Sequence, residues 1–362
     1  MTRVTIKGLT KVFGKTLAVD DLNLEVKDKE FVSLLGPSGC GKTTTLNCIS
    51  GLEQPTTGDI YFDDKRINDV PSKDRAIGLV FQSYAIFGYM TVFDNLAFGL
   101  KIRNVPQDEI KKQVEQMADF LGIRDLLQQR AGRLSLTNMQ KTAIGRTLLV
   151  KPNVLLLDEP LSNLDAEARA VMRVELKRLQ KEVEQTTIFV THDQLEAMAL
   201  SDRVAVMNLG RLQGYDTPDG VYNHPTNRFV ANFIGSPSMN FIDCSLKLDD
   251  ERAFLVHERF SMDVTSLRDY LNKSNLGSEL VLGIRPEHIT ISRQPTKQGI
   301  AVTVYVTELL GFENIIYLQF NGTLLRALTP AAVSFDVNDR VWLEFHKEKI
   351  HIFDRKNGEV IV

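Results

Sequence analysis

Glycines at 36, 39 and 41 punctuate the stretch GPSGCGKTTTLNCISG, residues 36–51, in which a lysine and two threonines follow the last of the three. Residues without a Cβ let backbone N–H groups curl around an anion, and a helix starting directly afterwards adds the positive end of its dipole. The stretch fits the GxxxxGK[ST] pattern, and its context is that of a P-loop: an apolar run ends at Leu35 and a helical stretch follows. Gly36, Pro37, Ser38, Gly39, Cys40, Gly41, Lys42, Thr43 and Thr44 are therefore the candidates for cradling a nucleotide's phosphates. Lys42 supplies a mobile cation for the β and γ phosphates, and Thr43 a hydroxyl for Mg²⁺, a hard ion that takes oxygen ligands. Cys40 reads as a small loop residue whose backbone matters, not as a nucleophile.

A second group of the right chemistry lies at VLLLDEP, residues 154–160, a short apolar strand ending in two adjacent acids whose side chains point opposite ways. In P-loop enzymes an acid at such a strand end holds Mg²⁺ directly or through water, a role that falls to Asp158. Glu159 is then left to polarise the attacking water as a general base. Alone, two acids after a strand are as readily a solvated turn; beside a P-loop they complete a site.

These groups must be positioned by a sheet. Apolar runs at 31–35, 77–81, 154–157, 187–191 and 204–207 suit buried strands, and 108–121 and 166–183 carry apolar residues at helical spacing between charges. Strands alternating with helices give an α/β domain with a largely parallel sheet, whose ligand sites lie at strand C-termini. After Phe233 the Gly/Ser/Pro break GSPSMN ends that pattern. Downstream, runs at 301–306, 315–320 and 341–345 alternate faces at period two and are separated by turn signals such as Asn321-Gly322, with one short helix expected near 267–272. The expectation is an α/β P-loop NTPase domain over 1–235, with a helical subdomain at about 84–150, followed by a compact all-β domain over 236–362. Trp342, the only tryptophan, is either core or interface.

Bulk properties narrow the class. A chain of 362 residues exceeds the usual size of one core. Lys and Arg number 43 against 46 acids, which lacks the basic footprint of a nucleic-acid binder. Apolar runs are too short to span a bilayer, the start lacks a signal peptide's apolar core, and three cysteines without metal-type spacing argue against a disulfide framework or zinc site. A cytosolic location is expected.

Together with the P-loop and the Asp158–Glu159 pair, three further motifs resemble the ABC-transporter ATPase family over the whole chain. Gln82 in VFQSYAIF is similar to the family's Q-loop glutamine, implying a Mg²⁺ ligand that also senses the transmembrane partner. SNLD at 162–165 resembles the D-loop that touches the opposite subunit. His192 in FVTHDQLEAM resembles the switch histidine that contacts the γ-phosphate, and Phe13 the aromatic residue that stacks on adenine. Motif chemistry admits ATP or GTP; ATP follows from the resemblance. LSDRVAVMNLGRLQGYDTP, VYNHPTNRFVANFIGSPSMNF and LGIRPEHI are similar to importer ATPases for sugars, glycerol phosphate and related solutes, which carry an OB-fold-like C-terminal regulatory module. That likeness implies a peripheral subunit on the cytoplasmic face of the membrane, two transmembrane permease partners, a second ATPase subunit and, indirectly, an extracytoplasmic solute-binding protein. The aromatic segment 83–100 is either where the permeases dock or ordinary packing.

One motif departs from the family. Where LSGGQ is usual the chain reads RLSLTNMQKTAIGR, keeping Leu134 and Ser135 but placing Leu136, Thr137 and Asn138 where two glycines and a glutamine belong. Ser135 can still cap the helix, whose dipole favours an anion by up to about 2 kcal/mol. A misplaced transition-state donor, however, costs on the order of 3 kcal/mol. The resemblance assigns this segment to the partner's nucleotide, so an intact own site beside an altered signature suggests a heterodimer with one weakened site; a homodimer is the alternative. An ATP-binding regulatory switch is a competing reading. A DNA-repair or ribosomal ABC protein would need a coiled-coil insertion or second cassette, and neither is present.

Overall fold

The computed structural model describes residues 2–249, 251–273 and 279–362, and the chain divides into two compact units, Met1–Asp219 and Gly220–Val362. In the first unit the strands are β1 (Val4–Phe13), β2 (Thr16–Val26), β3 (Phe31–Leu35), β4 (Thr57–Phe62), β5 (Lys65–Arg66), β6 (Ile77–Val80), β7 (Val154–Asp158), β8 (Thr186–Thr191), β9 (Arg203–Asn208) and β10 (Arg211–Asp216). The helices used below are α1 (Lys42–Ser50), α2 (Val92–Ile102), α3 (Gln107–Leu121), α4 (Leu136–Leu149), α5 (Ala166–Val183) and α6 (Gln194–Leu200).

Every residue of β3 and β8 is buried, as expected of strands covered on both faces. They lie at the centre of a six-stranded sheet ordered β10-β9-β3-β8-β7-β6, in which β6, β7, β8, β3 and β9 run parallel and β10 antiparallel. Parallel strands bring their carboxyl ends to one edge, so the turns after β3, β8 and β7 stand side by side. A second, antiparallel sheet, β2-β1-β4-β5, was not anticipated. Its alternating pattern buries Val4, Ile6 and Leu9 from β1, and was visible at the chain start only as polar–apolar alternation.

The helices α2, α3 and α4 lie between β6 and β7, in the interval where a helical subdomain at about 84–150 is expected. Thr91 caps α2 by accepting the Asp94 N–H, and α3 buries Ile110, Val114, Ala118 and Leu121, a single stripe at three-to-four spacing. Of the segment 83–100, Tyr84 is buried and Phe87 packs on Phe98 with ring centroids 4.6 Å apart, whereas Tyr89 is 74% exposed. Packing and exposure are thus both present there.

The second unit contains two antiparallel five-stranded sheets. One is ordered β13-β12-β11-β14-β20 and the other β15-β19-β16-β17-β18, from β11 (Asn240–Leu248), β12 (Ala253–His257), β13 (Phe260–Asp263), β14 (Glu279–Ile284), β15 (Ile289–Ser292), β16 (Ile300–Leu309), β17 (Glu313–Phe320), β18 (Thr323–Pro330), β19 (Arg340–Phe345) and β20 (Ile350–Asp354). Asn321 and Gly322 both take positive φ, 45° and 79°, joining β17 to β18 as a tight hairpin turn does. Trp342 is half-buried on β19, flanked in sequence by the core residues Val341 and Leu343.

The second unit starts before the composition break at 235–240. Ala231, from the short helix Arg228–Phe233, packs with Met239, Val281 and Phe353, so GSPSMN lies inside this unit. Arg285, from LGIRPEHI, explains the tie: only 1% exposed, its guanidinium donates to the carbonyls of Tyr222 and Ile234 and lies 3.6 Å from the Tyr222 ring centroid.

The same region holds His351, whose imidazole is pushed down to about 4 by burial and then by the nearby cations Arg285, His224, His288 and Lys349. The folded unit keeps it neutral while the unfolded chain binds a proton near pH 6.5, so its penalty begins as pH falls below about 6.5 and is complete near pH 4. Thermal unfolding of the second unit should therefore shift down between pH 7 and 4.5, by on the order of 3 kcal/mol in full. His351→Gln should flatten that part of the profile, and an unaltered profile would discount the histidine.

Candidate functional site

The loop between β3 and α1 is shaped by what its glycines touch. A Cβ on Gly36 would lie 2.3 Å from the Met207 carbonyl oxygen, and one on Gly41 2.4 Å from that of Ala18; Gly41 also takes φ 101°. Side chains at these positions are sterically excluded, as in a glycine loop whose backbone wraps an anion. Lys42, 5% exposed, donates to the Gly36 and Pro37 carbonyls at 2.8 and 2.9 Å, so its ammonium lies within the loop it serves. The Cys40 thiol, 3.7 Å from that ammonium, is pushed up by burial and stays protonated. Thr43, at the second position of α1, donates from Oγ1 to Asp158 Oδ1 at 3.0 Å.

That hydrogen bond joins the P-loop to the end of β7. Burial pushes the Asp158 carboxyl up, and Glu159 adds to the shift, while the Thr43 hydroxyl and Lys42 oppose it. Glu159 adopts φ 43°, a left-handed conformation that costs a non-glycine residue on the order of 1–3 kcal/mol. Its N–H donates to Val190 O at 3.0 Å, pinning the strained turn to the end of β8. The side chain then faces His192, Nδ1 to Oε2 being 3.2 Å.

Gln82 reaches the same turn from β6. Its amide Nε2 donates to Ser162 Oγ at 3.2 Å, Ser162 donates to the Glu159 carbonyl at 2.9 Å, and Asn163 donates to the Gln82 carbonyl at 2.8 Å. The segments expected to act as Q-loop and D-loop are thus hydrogen-bonded to each other. Lys42, Thr43, Asp158, Glu159, His192 and Gln82 form one connected group. Among the described residues no hydrogen bond links Phe13 or Ser135 to it. Phe13 lies exposed at the end of β1 with the Lys11 ammonium 4.6 Å from its ring centroid. Ser135 caps α4 by accepting the Asn138 N–H at 3.4 Å, and Leu136, the first helical residue, is 48% exposed.

Sequence reasoning missed the groups that hold His192. Thr191 Oγ1 donates to Glu196 Oε2 at 2.6 Å, and Asp193 accepts the Leu195 and Glu196 N–H groups at the start of α6. Arg169, from α5, lies 3.4 Å from Asp193 and 3.7 Å from Glu196. Glu196 is buried, and its carboxyl is pushed up by burial first. The residues on both sides of His192 are therefore fixed by an acid that, from sequence, looks like any surface glutamate in an amphipathic helix.

Comparisons with known proteins agree with this geometry. Residues 19–162 match the ABC transporter family, residues 235–289 the MalK OB fold domain and residues 282–353 the TOBE domain. The chain is 45% identical to the trehalose/maltose import ATP-binding protein MalK of Thermococcus litoralis, with all of both chains covered. It is 42% identical to the oligosaccharides import ATP-binding protein MsmX of Bacillus subtilis, covering 98% of each. Among solved structures, cbiO1 of Clostridium perfringens, part of the ABC transporter complex cbiONQ, aligns with a TM-score of 0.57 and 31% identity over 61% of this chain and 90% of that one. A P-loop joined through Thr43 to the acids after β7, followed by MalK-type OB and TOBE modules, thus places the chain in the ABC transporter family, among its import ATP-binding proteins, as an ATPase that powers solute uptake.

Proposed function

We propose that the chain energises uptake of a sugar, polyol or glycerol phosphate, as a peripheral subunit on the cytoplasmic face of the membrane. The relatives' names, which specify trehalose/maltose, xylose/arabinose and oligosaccharides, support a carbohydrate. Among the described residues no helix is long and apolar enough to cross a membrane; the likeness to import ATP-binding proteins supports permease partners that supply the channel. Tyr89 and its neighbours on the helical subdomain are the surface we assign to them. We assign ATP binding to the first unit, Met1–Asp219, and regulation to the second, Gly220–Val362, which contains the OB-fold match at 235–289.

The observation that carries the catalytic reading is the continuous link from Lys42 and Thr43 through Asp158 and Glu159 to His192. Thr43 and Asp158 present an alcohol and a carboxylate oxygen 3.0 Å apart, hard donors that fit Mg²⁺, with Gln82 as a third ligand from the family resemblance. When bound, the ion would neutralise phosphate charge. Lys42 binds the β and γ phosphates, and Glu159 accepts the proton of the attacking water. His192, oriented by Glu159 on one side and the Thr191–Glu196 bond on the other, contacts the γ-phosphate.

The heterodimer with one weakened site rests on Leu136, Thr137 and Asn138 alone, and the relatives lend it no support; a homodimer is the reading we adopt. Purified without other ATPase subunits, the chain should hydrolyse ATP with cooperative dependence on ATP, and an inert chain revived by a second, different ATPase subunit would reverse that choice. Glu159→Gln should keep ATP binding and slow single-turnover hydrolysis at least about a hundredfold; equal rates would make the chain an ATP-binding switch. Gly41→Ala should abolish nucleotide binding while leaving the second unit's unfolding unchanged, as differential scanning calorimetry would show.

A further inference from the structure

Away from the nucleotide site, the sheet of the second unit that contains Trp342 bears an open cleft of about 520 Å³. Its floor is a row of aligned residues on three adjacent strands, Gln319 on β17, Thr303 on β16 and Arg340 on β19. Val302 and Val304, on either side of Thr303 in sequence, are buried in the core, so this row belongs to the sheet's outer face. Asn321 and Gly322, at the β17–β18 turn, close one end, and Arg259 reaches in from the β12–β13 turn. Arg259 is anchored by donating to the Ala301 carbonyl, and its guanidinium carbon lies 5.7 Å from the Phe320 ring centroid. The Arg340 guanidinium carbon lies 5.7 Å from the Trp342 ring centroid.

Two guanidiniums therefore line one polar cleft, and among the described residues neither is in an ion pair. Neighbouring arginines are: Arg293 pairs with Asp339, and Arg355 with Asp243 and Glu279. No acid lines the cleft among the described residues, and Glu258, next to Arg259 in sequence, accepts a hydrogen bond from Asn321 Nδ2 at 2.9 Å. Arginine forks match the oxygens of a phosphate, whereas the Thr303 hydroxyl and Gln319 amide suit hydroxyl groups on whatever the phosphate carries. The volume is of the size that small-molecule sites have. Gly322 takes φ 79° with nothing within 4 Å of a Cβ position, leaving the cleft mouth open.

We propose that this cleft binds a small phosphomonoester bearing hydroxyl groups, as a second ligand site independent of the nucleotide. It reads the phosphate through Arg259 and Arg340 and the organic part through Thr303 and Gln319. A phospholipid headgroup presents the same phosphate chemistry, and the two sources are separable by experiment.

Isothermal titration of the full chain, with MgADP saturating the P-loop, tests the site using glycerol 3-phosphate as the probe. One saturable site with a dissociation constant on the order of 0.1–1 mM is expected. Arg340→Gln, an exposed change, should weaken it at least about tenfold, and Arg259→Gln combined with it should remove it. Thr303→Val provides a milder variant that keeps both cations and should lose affinity for glycerol 3-phosphate but not for inorganic phosphate. Lys42→Ala should retain this binding while losing ATP, so failure of the nucleotide reading is told apart from failure of this one. Absence of saturation by about 10 mM, equal affinity in the double variant, or binding only to phosphatidylglycerol vesicles would overturn the proposal.

Discussion

Thr43 and Asp158 stand 115 positions apart in sequence and share a 3.0 Å hydrogen bond, which exists because β8 lies between β3 and β7 in a parallel sheet. Each strand delivers its functional residues just past its carboxyl end: the glycine loop after β3, the two acids at the end of β7, the histidine after β8. A one-place change in strand order would separate Lys42, to which we assign the phosphates, from Asp158, to which we assign the metal. The complete burial of β3 and β8 therefore bears on function as much as on packing, since a doubly covered parallel sheet lines up three such turns.

Local strain is concentrated at the same edge. Glu159 is held left-handed by its N–H bond to Val190, and Tyr84 and Ala85 behind Gln82 also take positive φ. Such conformations persist where surrounding contacts over-determine them. Here Ser162 and Asn163 tie the Glu159 turn to Gln82, so the residue that precedes the helical subdomain is hydrogen-bonded to the turn carrying the carboxylate we propose as base. The exposed Tyr89 lies on that subdomain, on the surface we assign to the permease.

Much of this was legible in the residues. Central strands announced themselves as short apolar runs, α5 as an uninterrupted amphipathic period, and the β17–β18 hairpin through Asn321-Gly322. The antiparallel sheet from β1 and β2 was legible only as the polar–apolar alternation of the first residues, because its bulged pairing interrupts that alternation after Ile6. The start of the second unit was hidden for another reason. Arg285 draws carbonyls from residues 222 and 234 around one buried guanidinium, a long-range tie that no local break in composition can signal. At the site, P-loop and acids could be read from type and spacing, whereas Glu196 and Arg169 could not, since their role depends on burial created by the packing of α5 and α6. The altered signature is plain in sequence, and the structure adds that Ser135 caps the helix with Leu136 facing outward.

The grip of Lys42 on the nucleotide underlies every assignment made for the first unit. Equilibrium ATP binding and steady-state turnover, measured for the native chain and for Lys42→Ala, address it directly. Affinity reduced at least about tenfold with turnover lost is the expected result; undiminished affinity and turnover would contradict the nucleotide site itself.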